Sequence, residues 1–288
     1  MKVYISNYLS KSISVLSYPK FEVEKQIDLD DNINPHHFCI DKEKNLMYIP
    51  SSSDGILYVL DITTNNIIES VSIGGNLNQI GLCRGELFIS NEDSNSIYIL
   101  DQDTLNPIAV ISVDEMPHGF DFNESENKLY VSCINSIVCI DTLSKCIDRK
   151  IDTDFKAWHV KIDKKKREIY TSTLDGKLVI LDEMKMKVIS IIEDFLLPVE
   201  VCFSYSAKKI YVADLGYKHI KILDYDTGSY LDCINVEGNP QGLAISKDEK
   251  LLLVSDTQKN SIKIYNTNNN ELIKEVKTGK EPTTILCV

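Results

Sequence analysis

The chain has 288 residues, with 43 Asp and Glu against 31 Lys and Arg, and a formal net charge of −12 at pH 7. This acidity argues against a nucleic-acid or anionic-membrane surface, because both attract their partners through clustered Lys and Arg. No apolar run approaches the roughly 20 residues of a membrane helix, and MKVYISNYLS has no signal-peptide core, so we expect a cytoplasmic protein.

A short alternating run closed by an acid or Asn recurs at intervals of roughly 40 residues, a period typical of propeller blades. The copies are ISVLS (13–17, degenerate), ILYVLD (56–61), IYILD (97–101), IVCID (137–141), LVILD (178–182), IKILD (220–224) and IKIYN (262–266). The closing acid suits turn chemistry, because Asp and Asn side chains accept hydrogen bonds from nearby backbone amides.

In chain order, three strands are predicted at 2–7, 12–17 and 21–29, and six four-stranded repeats follow. The repeats open at corners located at Pro35, Leu77, Pro117, Ala157, Pro198 and Pro240, and one last strand spans 282–288. Since the N-terminus supplies three strands of a blade and the C-terminus one, we predict that 282–288 pairs with 2–7. The prediction is an all-β single domain, 1–288: a seven-bladed β-propeller of four-stranded antiparallel blades.

Eight cysteines show no CxxC pair and fall mainly beside Ile, Val and Phe in predicted strands: Cys39, Cys83, Cys133, Cys139, Cys146, Cys202, Cys233 and Cys287. Cys in such positions behaves as a small buried hydrophobe, and a reducing cytosol keeps it free. Disulfides or a metal site are the alternatives to free thiols.

The repeat unit, seen best in PQGLAISKDEKLLLVSDTQKNSIKIYNTNNNELIKEVKTG (240–279), resembles the YVTN repeat of bacterial seven-bladed propellers, the lactonase-like and surface-antigen-like group. The resemblance covers essentially the whole chain and implies this fold. It implies no single function, since relatives of this type include carbohydrate, peptide and nucleic-acid binders, scaffolds and a few enzymes. The chain departs from the repeat at Leu77, which replaces the corner Pro, and in a short loop between Ser132 and Ser136.

Candidate functional residues lie at the corners, because the first strands of a propeller line its channel. Four of the five histidines and the only Trp fall there. The predicted ligand-binding residues are His36, His37, Gln79, His118, Trp158, His159, Glu200 and Gln241. A structural requirement would give all corners similar residues, so their differences predict one asymmetric pocket, although simple hydrogen bonding within the loops is an alternative.

These side chains offer donors, acceptors and a stacking surface, which suit a small ligand, a peptide or a protein segment. We therefore predict a monomeric recognition or scaffold propeller without a cofactor, with neither nucleic acid nor membrane as partner. His219, at the start of a third strand, is interpreted as a surface or packing residue.

Two alternatives remain open. The resemblance implies a lactonase- or streptogramin-lyase-like enzyme in which His118 or His159 is a general base oriented by Glu200. The same three residues would form a two-His-one-carboxylate site for a divalent metal. No GxSxG, phosphate-binding glycine loop or HExxH motif supports the common catalytic routes.

Overall fold

The computed structural model describes residues 2–288, and within that range the chain forms seven four-stranded antiparallel sheets. The strands of the first half are β1 (Lys2–Asn7), β2 (Ser12–Ser17), β3 (Val23–Asp28), β4 (Cys39–Asp41), β5 (Leu46–Ser51), β6 (Ile56–Asp61), β7 (Asn66–Ser72), β8 (Leu77–Cys83), β9 (Glu86–Asn91), β10 (Ser96–Asp101), β11 (Pro107–Ser112), β12 (Phe120–Asn123), β13 (Lys128–Cys133) and β14 (Ser136–Asp141). The strands of the second half are β15 (Cys146–Asp152), β16 (Ala157–Asp163), β17 (Glu168–Thr173), β18 (Leu178–Asp182), β19 (Lys187–Ile192), β20 (Pro198–Ser204), β21 (Lys209–Asp214), β22 (His219–Asp224), β23 (Tyr230–Asn235), β24 (Pro240–Ile245), β25 (Leu251–Asp256), β26 (Ser261–Asn266), β27 (Leu272–Lys277) and β28 (Pro282–Cys287).

Each sheet is one blade, in which neighbours along the chain are neighbours in the sheet. Blade 1 has the order β28-β1-β2-β3, and blades 2 to 7 are β4–β7, β8–β11, β12–β15, β16–β19, β20–β23 and β24–β27. This is the architecture of the seven-bladed β-propeller that the repeats predicted. A 3₁₀ turn at Glu124–Glu126 interrupts the strands, and the described part of the chain holds no helix with the length and apolar character needed to cross a bilayer.

Two compact units divide the chain. The first unit contains the described residues up to Asp31 together with Ile192–Val288, and the second unit is Asn32–Ile191. Both are built from whole blades or nearly so, with blades 2 to 5 in the second unit. The prediction of a single domain stays a prediction.

Blade 1 joins the two ends of the chain, as predicted. Val3, Tyr4 and Ile5 of β1 pair antiparallel with residues of β28. Backbone hydrogen bonds between Lys2 and Val288, 3.0 and 2.8 Å long, extend the ladder at its end. The last strand therefore covers the edge that β1 would otherwise expose.

Turn chemistry explains the acid that closes each third strand. Oδ1 of Asp61 accepts hydrogen bonds from the backbone N–H groups of Thr63 (2.7 Å) and Thr64 (3.2 Å). Equivalent bonds hold the turns after Asp101, Asp141, Asp224 and Asn266. These residues stabilise the hairpin to the fourth strand, as the sequence predicted.

The first strands of blades 2 and 4 are shorter than predicted, since β4 and β12 start at Cys39 and Phe120 and not at the corner prolines. The third strand of blade 1 is likewise Val23–Asp28, shorter than the predicted 21–29. In blades 3 and 5 the first strand is long, but its register shifts after Leu77 and after Ala157. Such irregularities re-aim side chains out of the regular ladder. They fall where the candidate site residues lie.

Candidate functional site: a histidine cluster

Buried serines on the second strands position the corners of the second unit. Oγ of Ser90 accepts a hydrogen bond from the backbone N–H of Gln79 (2.9 Å) and donates one to the carbonyl of His118 in the next blade (3.1 Å). Ser132 donates in the same way to the carbonyl of Trp158. Each serine thus ties the corner of one blade to the corner of the next, which fixes the backbone that carries the candidate side chains.

Five aromatic side chains from three blades meet in the second unit, and we call them the histidine cluster: His36, His37, His118, Trp158 and His159. The rings of His118 and Trp158 stack, with centroids 3.5 Å apart and planes at 23°. His159 meets the His118 ring edge-on at 4.8 Å and lies 5.6 Å from His37, which in turn lies 4.4 Å from His36. The structure therefore brings together five of the eight residues predicted for the site.

A carboxylate that the predicted site did not include is the polar partner of this cluster. Oε1 of Glu92, in the turn between β9 and β10, lies 2.5 Å from Nδ1 of His118. The amide nitrogens of Asn76 and Asn78 donate to Oε2 and Oε1 of Glu92, both at 2.7 Å. The start of β8, with Asn76 and Asn78, meets the turn after β9, with Glu92, because antiparallel β8 and β9 bring these two segments to the same end of the sheet.

Burial keeps the imidazoles neutral, because a charge is unfavourable away from water. It lowers the pKa of His36 to about 4 and that of His118 to about 3. The pKa values of His37 and His159 also lie well below the ordinary 6.5, since burial is reinforced by the neighbouring imidazoles. Burial raises the pKa of Glu92, while the hydrogen bond from Asn78 opposes the rise.

Gly119 makes room for the ring of His159. A Cβ at position 119 would lie 2.7 Å from Nδ1 and 2.9 Å from Cα of His159. Both distances are too short for real atoms, so any larger residue here displaces His159. The glycine at this corner is therefore part of what shapes the cluster.

The other predicted residues are distributed over both units. Gln79, in the second unit, donates from Nε2 to the carbonyl of Phe120 (3.2 Å). Glu200 lies in β20 and accepts a hydrogen bond from the N–H of Val201 at 3.3 Å, and Gln241 lies in β24, so both belong to the first unit.

His219, interpreted from the sequence as a surface or packing residue, contacts an aromatic neighbour. Its ring stacks on Tyr217 with centroids 5.6 Å apart and planes at 25°. It is partly buried at the start of β22 and lies in the first unit. This makes it a suitable control for histidine substitutions in the cluster.

No group of three or more His, Cys, Asp or Glu side chains among residues 2–288 is arranged to hold a metal ion. The two-His-one-carboxylate alternative therefore has no supporting geometry in the described residues. The His118 ring stacks on Trp158 and meets the His159 ring edge-on, so these side chains contact one another.

A cleft of about 420 Å³ in the second unit is lined by other residues: Asn95, Val113, Asp114, Glu115, Ile134, Asn135, Lys150 and Asp152. It adjoins the turn between β13 and β14, where only Ile134 and Asn135 separate the strands. This is the short loop noted in the sequence. Lys150 bridges Asp114 and Asp152 at 3.0 and 2.9 Å across the cleft.

Seven four-stranded blades, with the first and last strands in one blade, define a seven-bladed β-propeller with a histidine cluster at its corners. Solved structures with the same fold include hydrazine synthase of Kuenenia stuttgartiensis, with a TM-score of 0.77 and 17% identity over 91% of this chain and 92% of that one. Another is the dihydro-heme d1 dehydrogenase NirN in complex with DHE, with a TM-score of 0.73 and 10% identity over 99% of this chain and 74% of that one. At these identities the likeness shows the fold alone.

A curated protein with a similar sequence is the antigen Lp49 of Leptospira interrogans serogroup Icterohaemorrhagiae serovar copenhageni (strain Fiocruz L1-130). The two are 22% identical over 252 residues, which are 77% of this chain and 55% of the antigen. The chain thus spans about half the length of that relative. No protein-family model matches the sequence.

Proposed function

We propose that this propeller is a recognition module that binds a small ligand, a peptide or a protein segment at the histidine cluster. One observation carries the proposal. His118 stacks on Trp158 and meets the His159 ring edge-on, and within residues 2–288 no hydrogen bond engages Nε2 of His118 or either ring nitrogen of His159. These rings therefore offer an aromatic surface together with hydrogen-bonding atoms that no described protein group uses. A bound ligand with complementary polar groups supplies partners for them.

The chemistry of the cluster supports this reading. A neutral imidazole offers one donor and one acceptor, and Trp158 adds an aromatic surface. Recognition at propeller corners also agrees with the resemblance to YVTN-repeat propellers, which we propose as the family of this chain. The NirN structure, which is similar in fold to this chain, is a complex with DHE.

The net charge of −12 argues against nucleic acid or an anionic membrane as the partner. A monomeric state and a cytoplasmic location stay predictions from the sequence. A resident cofactor is not part of this proposal.

A fragment screen by ligand-observed NMR tests the proposal. We expect fragments that bind the wild-type protein to lose binding in the double variant His118→Gln/His159→Gln and to keep it in His219→Gln. The His219 variant is the matched control, because it removes an imidazole outside the cluster. Equal binding to the double variant and the wild type would place the site elsewhere and overturn the proposal.

A second candidate is a lyase or hydrolase in which His118 is a general base. The pair of Glu92 and His118 favours it, because a carboxylate on Nδ1 orients an imidazole and stabilises the charge it gains. Here Glu92 takes the orienting role that the sequence had assigned to Glu200. Turnover of simple lactones that is abolished in His118→Gln and reduced in Glu92→Gln would support this candidate, and turnover unchanged in His118→Gln would dismiss it.

A further inference from the structure

Three nitrogen atoms converge on the carboxylate of Glu92. They are Nδ2 of Asn76 at 2.7 Å from Oε2, and Nδ2 of Asn78 and Nδ1 of His118 at 2.7 and 2.5 Å from Oε1. The exposed fractions of the Glu92 and His118 side chains are 14% and 8%. Because both side chains are largely buried, their hydrogen bonds to each other and to the two Asn amides determine which of them is protonated.

The orientation of the Asn78 amide follows from the same contacts. With Nδ2 facing Glu92, the amide donates to the carboxylate. The flipped amide would direct its own oxygen at Oε1 of Glu92, and two acceptors at that distance repel. Asn78 is therefore a donor to Glu92, and its Nδ2 also lies 2.6 Å from Nδ1 of His118.

A proton must lie between Oε1 of Glu92 and Nδ1 of His118, since two bare acceptors 2.5 Å apart repel. It resides either on the imidazole or on a protonated carboxyl group. The amides of Asn76 and Asn78 both donate to Glu92, which favours the ionised carboxylate. A protonated carboxyl at pH 7 would require a pKa about three units above the ordinary value of ~4.3. The proton therefore belongs to Nδ1.

The second ring nitrogen of His118 then carries no proton. The His118 ring is secluded and stacks on Trp158, and this burial disfavours the doubly protonated ring and lowers its pKa. With its one proton on Nδ1, the imidazole presents a lone pair at Nε2.

We propose that Glu92, oriented by Asn76 and Asn78, fixes His118 as the Nδ1–H tautomer, so that Nε2 accepts a hydrogen bond from a hydroxyl, amide N–H or ammonium group of the ligand. The ligand class rests on the proposed function, whereas the tautomer does not. An anionic group is disfavoured at this position for two reasons: the lone pair of Nε2 faces it, and Glu92 adds a negative charge beside neutral imidazoles. Phosphates and carboxylates are thus excluded from the contact with His118.

The tautomer is measured on the ligand-free protein by long-range ¹H–¹⁵N NMR of the histidine rings at pH 7, with His118→Gln used to assign the signals. We expect a protonated Nδ1 and a bare Nε2 for His118. In Glu92→Gln the carboxylate is gone, and we expect the Nε2–H form to become the major one. Asp93→Asn is the matched control, because it removes the adjacent carboxylate and leaves Glu92 in place. A protonated Nε2 in the wild-type protein would overturn the assignment.

The ligand class is tested with three probes of similar shape: benzamide, benzamidinium and benzoate. We expect benzamide and benzamidinium to bind the wild-type protein. Benzamidinium, which has N–H donors only, should lose at least tenfold in affinity in Glu92→Gln and keep its affinity in Asp93→Asn. Benzoate binding as tightly as benzamide would overturn the ligand class. Failure of all three probes to bind would overturn the proposed function and the ligand class together, while the tautomer would still stand or fall by the NMR result.

Discussion

His36 and His37 lie in surroundings that disfavour a charge on either ring. Burial lowers both pKa values, that of His36 to about 4, although the charge of Glu92 partly opposes the shift at His36. The neighbouring imidazoles of His36, His159 and His118 lower the pKa of His37 further. At the scale of residues, the cluster is therefore a set of buried and half-buried imidazoles that stay neutral.

This neutrality predicts a loss of stability in acid. A histidine with a folded-state pKa near 4 and an unfolded-state pKa of 6.5 binds more protons when unfolded between these values. Each such group contributes its whole stabilisation to the free energy of unfolding above pH 6.5. This contribution falls as the pH drops toward 4, by up to about 1.4 kcal/mol per pH unit. Urea unfolding at pH 7, 6 and 5 measures the slope. We expect a shallower slope in His36→Gln than in wild type, and an unchanged slope would contradict the neutral cluster.

The sequence placed the histidines at the corners and predicted one asymmetric pocket there, but it did not single out Glu92 as a partner of His118. His118 and His159 occupy corners, and the repeat period alone places the corners together. Glu92 lies in a turn where most blades carry polar residues, and its distance along the chain from His118 gives no sign of contact. The serine links that hold the corners are equally hidden, because Ser90 resembles any small residue in a buried strand.

At the scale of elements, the tyrosine of the second strand links three pairs of adjacent blades: 2 with 3, 4 with 5, and 6 with 7. The partner lies directly after the acid or Asn that closes the third strand of the next blade. Tyr48 receives a hydrogen bond from Gln102 in the second unit, and Tyr211 donates to the carbonyl of Thr267 in the first unit, both at 3.1 Å. The periodic tyrosines were visible in the sequence, whereas their partners vary in type and were not.

Tyr130 is the link whose loss has the clearest expected cost. Its hydroxyl donates to Oε1 of Glu183 (3.1 Å), a carboxylate with 1% of its side chain exposed that also contacts Arg167 and Asn123. Tyr130→Phe removes one donor from this buried charge, so we expect a loss of about 1–3 kcal/mol in the free energy of unfolding by urea. Tyr170→Phe is the control, because Tyr170 bonds the more exposed Glu168. Equal effects of the two substitutions would show that the link between blades contributes nothing of its own.

At the scale of the whole molecule, the first three strands and the last strand of the described chain form one blade. The pairing of β28 with β1 was predictable, because three strands at one end and one at the other leave a single way to complete a blade. Side chains reinforce it: Oγ of Ser6 and Oγ1 of Thr283 lie 2.9 Å apart, and both residues are buried. The late starts of β4 and β12 were not predictable, since the corner prolines resemble those of the other blades.

Deleting residues 282–288 tests this closure. The deletion exposes the N–H and C=O groups of β1 and removes the buried side chain of Ile285 from the core between blades 1 and 7. We expect aggregation or loss of the cooperative thermal transition. A truncated protein that melts like the full chain would refute a structural role for the last strand.

The eight cysteines are free thiols in the structure, and their exposure predicts their reactivity. Cys146 and Cys233 are exposed, whereas Cys83, Cys133, Cys139 and Cys202 are buried, and burial raises the pKa of Cys133 to about 12. Because the thiolate is the reactive form, we expect two fast thiols and four slow ones in the native protein with a chromogenic disulfide reagent. All eight should react after denaturation without reductant, and recovery of fewer would reveal disulfides.

The most direct test of the histidine cluster as a binding site is calorimetric titration of the strongest fragment from the screen into wild type, His159→Gln and His219→Gln. His159 is the informative position, because its ring nitrogens make no hydrogen bond within residues 2–288 and its substitution breaks none. We predict at least a tenfold loss of affinity, about 1.4 kcal/mol, in His159→Gln and none in His219→Gln, with the cooperative melt retained in both. Unchanged affinity in His159→Gln would contradict the account.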